Sequence, residues 1–302
     1  MEEKSKNAAL IGGMVLFWSI YHAVSKIIVG ATGSAPLTGM LLRSAALVVL
    51  TVQIVSGGKF RSLFRQGRAT ILLISIGVFG FLLDLFANLG YAGGALSTGT
   101  ALLKVDVLLA NLTTVFLYKK KLYPSDWLGT LVMLGGVLMV LGIDFSHMSF
   151  NVTDLFFILS AMCVTTNAFL IKGVQRRYHV DTDVISYYNN FVVLLLFTFS
   201  AGMGGAIRSE NLGTIPGFWP LVALGGIAQS CVYFFYYRNL KRHEVWVVSL
   251  YLLLIPVVSC FIGVAFLGET LTVYKVLGIF IVLLGAAVIL LRDRINKCKG
   301  AV

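Results

Sequence analysis

Apolar segments of about 20 residues, separated by short polar breaks, follow one another along nearly the whole chain. A helix needs about 20 apolar residues to cross the hydrocarbon core of a bilayer, because each residue advances it by roughly 1.5 Å. Of the 302 residues, 58% are hydrophobic and only 12% are charged, against about 25% charged residues in an average soluble domain. The sequence therefore predicts an all-α integral membrane protein with no sizeable soluble domain.

We predict ten transmembrane helices. They cover residues 8–29, 36–56, 70–91, 95–117, 127–143, 154–174, 185–204, 218–237, 245–267 and 275–291. Short cytoplasmic loops of membrane proteins are enriched in Lys and Arg. If both termini are cytoplasmic, the inner loops hold the basic clusters at 59–68, 119–121, 176–177 and 238–242, and the outer loops hold only Arg208 and Lys275. We therefore expect a multi-pass protein of the plasma membrane, the inner membrane in bacteria, with both termini in the cytoplasm.

The basic clusters also bear on partners. The net charge of +11 is concentrated in short loops between apolar segments, where Lys and Arg set the topology and meet lipid headgroups. We therefore predict membrane lipids and a small-molecule substrate as partners, and no nucleic acid. The sequence leaves a monomer and a homodimer both open.

The two halves of the chain resemble each other at an offset of 149 residues. This offset lays LGTLVMLGGVLMVL (128–141) over LGIFIVLLGAAVIL (277–290), with Gly129 on Gly278 and Gly136 on Gly285. We expect two repeats, residues 1–146 and 147–302. Five helices per repeat is an odd number, so the repeats must be inverted in the membrane. That architecture is typical of carriers that bind their substrate between the repeats.

Three stretches make the resemblance to a known family specific. They are LFWSIYHAVSK (16–26), Arg43 inside the second predicted span, and 255–290 with its mid-helix Pro256, its Gly268-Glu269 turn and its Gly-rich last helix. The chain resembles the drug/metabolite transporter superfamily, with two EamA-type five-helix repeats. The resemblance implies a secondary transporter that works by alternating access. It also implies that Glu269 is a structural signature, so we leave it out of the predicted site. The first half departs from the pattern, with Val107 in place of Pro256.

Charged residues inside the predicted spans are the main pointers to a site, because each costs roughly 2.5–3.5 kcal/mol at the centre of a membrane helix. Lys104 and Asp106 lie near the middle of the fourth span, and Lys26, Arg43 and Asp84 lie in the outer third of the membrane. On an ideal helix Lys104 and Asp106 point about 200° apart, so we expect them not to pair. We expect Asp106 to pair with Arg43 or Lys26, and Asp84 with Lys104 or Arg43. Three cations against two carboxylates leave one positive charge.

Other polar and aromatic residues complete the predicted site. Trp18, His22 and Lys26 are spaced at i, i+4 and i+8 along one helical face, and Asn88 shares a face with Asp84. The second half is polar but mostly uncharged at depth, and it is rich in aromatic residues that could surround a cationic group. The predicted substrate-binding residues are Trp18, His22, Lys26, Arg43, Asn88, Lys104, Tyr187, Asn190 and Tyr236. Asp84 and Asp106 are predicted to couple transport to protons or to form ion pairs.

Three functions fit these residues. The first is a secondary transporter of a small polar metabolite, an amino acid or related zwitterion or amine, with proton coupling left open. The second is a carrier of an organic anion or a phosphorylated metabolite, which the surplus positive charge would suit. The third is a non-transporting membrane scaffold or sensor, in which the charges only order the bundle.

The chain has no GxxxxGK[ST] loop and no HExxH motif, so we predict no enzyme activity, no cofactor and no metal. We expect Arg43→Ala and Lys104→Ala to lose substrate binding while the protein still folds.

Overall fold

The computed structural model describes residues 2–94, 96–116, 119, 124–140, 151–207, 212–213, 215–270, 272–274 and 276–285. The helices are α1 (Glu2–Thr32), α2 (Ala35–Ser56), α3 (Ala69–Gly93), α4 (Leu96–Leu102), α5 (Val105–Phe116), α6 (Pro124–Val140), α7 (Val152–Arg177), α8 (Thr182–Met203), α9 (Phe218–Arg242), α10 (Val245–Leu252), α11 (Ile255–Leu267) and α12 (Val276–Gly285). A short 3-10 helix, Phe60–Arg65, precedes α3.

These helices agree with the predicted fold of ten spans in two five-helix halves, because α4 with α5 and α10 with α11 each form one span. Seven spans are long and apolar enough to cross a membrane by length and composition, and α4–α5, α6 and α12 supply the shorter ones. Residues 95, 117, 141–143, 275 and 286–291 of the predicted spans lie outside the described chain. We call the end of the bundle where α1 begins the inner end, and the end where α1 stops the outer end.

The fourth and ninth predicted spans are not continuous helices, contrary to the sequence prediction. The chain leaves the helix at Leu103–Lys104 and again at Leu253–Leu254. Pro256 explains the second break, because proline lacks a backbone N–H and is favoured in the first turn of a new helix. In the first half, Asp106 lies in the first turn of α5, where the helix dipole favours a negative charge. The two breaks occupy matching positions in the two halves.

The two breaks lie side by side in the bundle. Val107, at the start of α5, packs in one buried cluster with Leu250 and Leu253 from the α10 end. Broken helices at matching positions of two repeats are the usual pointer to a transporter binding site. The unwound residues of both halves therefore meet at one level of the molecule.

Glycines that match across the repeat offset also face each other. A Cβ on Gly136 of α6 would lie 2.7 Å from the carbonyl oxygen of Gly278, and a Cβ on Gly285 of α12 would lie 2.9 Å from that of Gly129. Small residues let membrane helices approach closely enough for backbone contact. The four glycines aligned in the sequence thus form one reciprocal contact between α6 and α12.

We expect Gly136→Val to destabilise the protein, because the added methyl groups must separate α6 from the backbone of α12. Overpacking of this kind costs about 1–3 kcal/mol. The measurement is the free energy of unfolding of the purified variant compared with that of the wild type. The matched control is Gly135→Val, since a Cβ on Gly135 meets nothing within 4 Å. Equal stabilities of the two variants would contradict the close contact.

The helices that surround the centre of the bundle come from both halves. In the first half α1, α2 and α3 pack against α9, α8 and α7 of the second. Glycines allow part of this packing: Gly226 of α9 lies directly against Ala45 of α2, and Gly13 of α1 against the ring of Phe235. Polar side chains on these six helices therefore meet between the two halves.

Candidate functional site

Arg43 and Asp84 form a buried ion pair at the centre of the bundle. Their exposed fractions are 3% and 2%. The Arg43 Nε donates to the Asp84 Oδ2 at 2.7 Å, and one terminal guanidinium nitrogen donates to the same oxygen. The hydroxyl of Tyr21 also donates to it, at 2.9 Å. The predicted pairing of Asp84 with Arg43 is confirmed, and it joins α1, α2 and α3.

The other side of the Arg43 guanidinium faces the second half of the chain. Its second terminal nitrogen donates to the hydroxyl of Tyr233, and it lies 3.4 Å from the Asn190 Oδ1. The Asn190 Nδ2 donates in return to the backbone carbonyl of Arg43 at 3.0 Å. The rings of Tyr21 and Tyr233 lie 5.7 and 5.4 Å from the guanidinium carbon, within cation–π distance. Arg43 is thus fully engaged by protein groups, and it links the two halves.

A small cavity of about 40 Å³ lies beside this pair. Polar and aromatic side chains of α1, α3 and α9 line much of its wall, among them Trp18, Asp84, Gln229, Tyr233 and Tyr236. Trp18 and Tyr236 meet edge to face with their ring centres 4.8 Å apart. A concave site with aromatic walls and a few polar groups suits a small polar molecule.

Lys104 and Asp106 lie at the helix break and are 6% and 1% exposed. Their Nζ and Oδ1 atoms are 4.0 Å apart, so the expectation that they point about 200° apart and do not pair is wrong. That expectation assumed an ideal helix, and the break between α4 and α5 removes the assumption. The distance exceeds that of a hydrogen bond. Lys104 and Asp106 therefore form a loose pair.

The carboxylate of Asp106 is poorly coordinated for a buried charge. Neither oxygen accepts a hydrogen bond of ordinary geometry from the residues that the structure describes, although the backbone N–H of Val107 and the Ser249 hydroxyl both lie close to the carboxylate. Asp106 interacts electrostatically with Tyr236, and Lys104 with His22. Buried charges normally have hydrogen-bond partners, so a substrate group is a natural partner for this carboxylate.

Lys26 pairs with neither predicted carboxylate. Its Nζ lies 3.0 Å from the Oε1 of Glu269, a residue that the sequence interpretation left out of the site. The surplus positive charge predicted from three cations and two carboxylates is therefore absent, because Glu269 adds a third carboxylate. The charges form three pairs, with Arg43 on Asp84, Lys104 beside Asp106, and Lys26 on Glu269.

The structure places the remaining predicted residues at different distances from the cavity. Trp18 and Tyr236 line it, and His22 lies 6.3 Å from the Trp18 ring. Asn88 accepts a hydrogen bond from Ser25 and lies nearer the outer end than the Arg43–Asp84 pair. Tyr187 lies apart from the cavity wall and stacks on Phe191, which is 42% exposed. Its expected role in binding receives no support from this position.

The site predicted from the sequence does not include Tyr21, Gln229 and Tyr233. Tyr21 lies three residues after Trp18, so the helical spacing could have shown it on the same face. The run 233–237 is aromatic at every position, so it covers all sides of a helix. Spacing alone could not select Tyr233 and Tyr236 as the residues that face the cavity.

Comparisons with known proteins agree with this architecture. The chain is 25% identical over 285 residues to the uncharacterized transporter YyaM of Bacillus subtilis (strain 168), with 90% of each chain covered. It is 27% identical over 221 residues to an uncharacterized transporter of Archaeoglobus fulgidus, covering 72% of this chain and 76% of the other. A solved crystal structure with 20% identity superposes with a TM-score of 0.71 over 97% of this chain and 99% of its own, which shows a shared fold.

The two halves each match one family. The model of the EamA-like transporter family aligns with residues 6–142 and again with residues 151–291. The resemblance drawn from Pro256, the Gly268-Glu269 turn and the Gly-rich last helix is therefore confirmed. This chain belongs to the EamA-like transporter family and is a multi-pass membrane transporter of the drug/metabolite transporter superfamily.

Proposed function

We propose that this transporter carries a small zwitterionic metabolite, an amino acid or a related amine-containing compound. The observation that supports the proposal most is the loose pair of Lys104 and Asp106. These two buried, opposite charges lie 4.0 Å apart, and no described residue makes a hydrogen bond of ordinary geometry to the Asp106 carboxylate. A zwitterion brings one partner for each charge, with its carboxylate beside Lys104 and its ammonium beside Asp106.

The balance of charge favours a zwitterion over an anion. An anionic substrate would need a cation that the protein does not already neutralise, and Arg43 and Lys26 both have carboxylate partners. A zwitterion adds no net charge to the site. Tyr236 interacts with the Asp106 carboxylate and meets Trp18 edge to face, and an ammonium group beside such aromatic rings gains cation–π attraction.

Alternating access is the mechanism that the broken helices support. In carriers built from inverted repeats, discontinuous helices form the substrate site, and one repeat rocks against the other. We propose that the repeats, residues 1–146 and 147–302, move about the level where Val107 meets Leu250 and Leu253. Both termini would lie in the cytoplasm, on the side of the basic loops.

Proton coupling, if present, would involve Asp106 rather than Asp84. Asp84 already accepts from Arg43 and from Tyr21, so a proton on it would disrupt the link between α1, α2 and α3. Asp106 accepts no hydrogen bond of ordinary geometry from the described residues, so a proton on it would break no link of that kind. Protonation of Asp106 would also change the charge offered to an ammonium group, which is how a proton could alter substrate affinity.

Counterflow in liposomes tests the proposal. We expect one or more radiolabelled amino acids or related zwitterions to exchange. Organic anions and sugar phosphates should exchange at least about tenfold more slowly, a difference of 1.4 kcal/mol. Exchange of anions alone would contradict the zwitterion proposal. Liposomes without protein supply the background rate, and folded protein that exchanges none of the panel would favour a non-transporting role.

A further inference from the structure

We propose that the outer half of the transport path runs between α1, α3 and α4, through a polar subsite formed by His22, Asn88 and Tyr91. We also propose that Glu269 and Phe157 close this path in the present structure. This proposal requires only that the protein is a transporter, which its family membership shows. It does not depend on the substrate being a zwitterion. Its failure would therefore leave the proposed substrate class standing.

Polar side chains of α1 and α3 meet in successive layers from the cavity towards the outer end. Tyr21 donates to Asp84 in the first layer. One turn further out, the hydroxyl of Ser25 donates to the Asn88 Oδ1 at 2.5 Å, and the ring of His22 lies 5.6 Å from that of Tyr91. Because Asp84, Asn88 and Tyr91 are spaced at i, i+4 and i+7, they share one face of α3.

Three polar atoms in these layers have no partner among the described residues. They are the His22 Nδ1, the Asn88 Nδ2 and the Tyr91 hydroxyl, in side chains that are 5%, 1% and 3% exposed. A buried donor or acceptor without a partner costs about 1–3 kcal/mol. Polar atoms that cluster in this way are satisfied by ordered water or by a ligand.

The chemistry of the subsite fits an uncharged polar group. An imidazole, a carboxamide and a phenol together offer donors and acceptors without a fixed charge. Such groups can hydrogen-bond water, or the hydroxyl and amide groups of a passing solute, without holding it as firmly as an ion pair would. We therefore assign to this subsite the transit of a polar solute between the central cavity and the outer surface.

Glu269 closes the path at its outer end. Its Oε1 accepts from the Lys26 Nζ at 3.0 Å and from the backbone N–H of Leu96, at the start of α4, at 2.6 Å. Gly263 leaves room for the carboxylate, because a Cβ there would lie 2.8 Å from the Oε2. Gly268, with φ at +65°, turns the chain out of α11 so that Glu269 points back. One carboxylate of the second half thus holds two elements of the first.

Phe157 of α7 forms an apolar seal next to this contact. Its side chain is fully buried and lies against Gly90 and Gly99, where a Cβ on Gly90 would be 2.7 Å from the ring. The ring also meets that of Tyr91 edge to face at 5.0 Å. Like Glu269, Phe157 comes from the second half and contacts the first. Opening of the outer end must separate both contacts.

Cysteine labelling tests the closure. In a background whose native cysteines are replaced by serine, Asn88→Cys reports on the subsite, and a membrane-impermeant maleimide is applied to each face of oriented vesicles. We expect slow labelling from the outer face, and at least about a fivefold faster rate when Glu269→Gln is added. The matched control Glu244→Gln removes the partner of Arg176, an ion pair of 2.6 Å at the inner end, and should leave the rate unchanged.

Two further variants keep the test decisive. Lys26→Gln removes the other side chain of the Glu269 contact and should also accelerate labelling. A second reporter, Ile76→Cys, lies fully buried in the inner part of α3 and should stay unlabelled in every variant. Unchanged labelling of Cys at position 88 in both Glu269→Gln and Lys26→Gln would overturn the proposal. So would an equal rise at positions 76 and 88, which would indicate general loosening of the bundle.

Discussion

Replacing Arg43 by methionine is expected to lower the free energy of unfolding by about 3–5 kcal/mol, because removing one partner leaves the charge of Asp84 buried without compensation. Asp84 is 2% exposed and would keep a single neutral donor, the Tyr21 hydroxyl, among the contacts given by the structure. Arg43→Met would also remove the donors to the Tyr233 hydroxyl and to the Asn190 Oδ1, which link α2 to α9 and α8, while the bond from Asn190 to the backbone carbonyl at position 43 remains. Denaturant titration of the purified protein in detergent measures the free energy of unfolding.

Two control variants separate the buried pair from general sensitivity to mutation. The double variant Arg43→Met with Asp84→Leu should recover much of the lost stability, since no unpaired charge then remains. Lys59→Met removes a cation that lies 2.9 Å from Asp181 and 2.6 Å from Asp183 but is 37% exposed, so it should cost no more than about 1 kcal/mol. If Arg43→Met were as stable as Lys59→Met, the structural role assigned to Arg43 would be wrong.

This result would revise the expectation drawn from the sequence, in which Arg43→Ala loses substrate binding but still folds. In the sequence, Arg43 was one of three cations that could each face a substrate. In the structure, its donors are occupied by Asp84, Tyr233 and Asn190. The same expectation stands for Lys104, whose nearest described charge is 4.0 Å away.

The second large effect is expected at the helix break. Asp106→Asn and Lys104→Gln should each slow substrate exchange by about 10–100-fold, because a hydrogen bond to a charged group contributes about 1.5–3 kcal/mol and each 1.4 kcal/mol is a factor of ten. Both variants should still fold but lose some stability, because each leaves a buried charge without its partner. The loss should be smaller than in Arg43→Met, since Lys104 and Asp106 are 4.0 Å apart and make no hydrogen bond to each other. Exchange rates in liposomes and unfolding of the same preparations give the two readouts.

Asp181→Asn is the matched control for this pair of variants. It makes the same chemical change at a carboxylate that is 44% exposed at the inner end of the bundle, far along the chain from the helix break. Its exchange rate should equal that of the wild type. A similar loss in Asp181→Asn and Asp106→Asn would indicate that any change of charge impairs the carrier.

Much of the fold follows from the sequence because the bilayer limits the possible structures. The apolar lengths predicted the ten spans, and the 149-residue offset predicted which glycines match. Gly136 and Gly285 then proved to lie at one reciprocal contact. The pairing of Arg43 with Asp84 could also be anticipated, because few other partners exist for buried charges inside a membrane.

The helix breaks and the role of Glu269 could not be predicted in the same way. Pro256 is a signal from which the break in the second half could have been predicted, but Val107 at the matching position gives no such signal in the first half. Assuming a continuous helix turned Lys104 and Asp106 away from each other, and the structure places them 4.0 Å apart. Glu269 lies 243 residues from Lys26 along the chain. Sequence periodicity predicts only contacts within a helix, so it could not indicate this one.

The most direct test of the account compares two substrates in two proteins. The zwitterion that exchanges fastest and its N-acetyl derivative, which keeps the carboxylate but loses the ammonium, are measured by counterflow in the wild type and in Asp106→Asn. We predict that the wild type prefers the zwitterion by at least about tenfold, or 1.4 kcal/mol, and that Asp106→Asn loses most of this preference. An unchanged preference in Asp106→Asn, with the protein folded, would contradict the assignment of the ammonium group to Asp106.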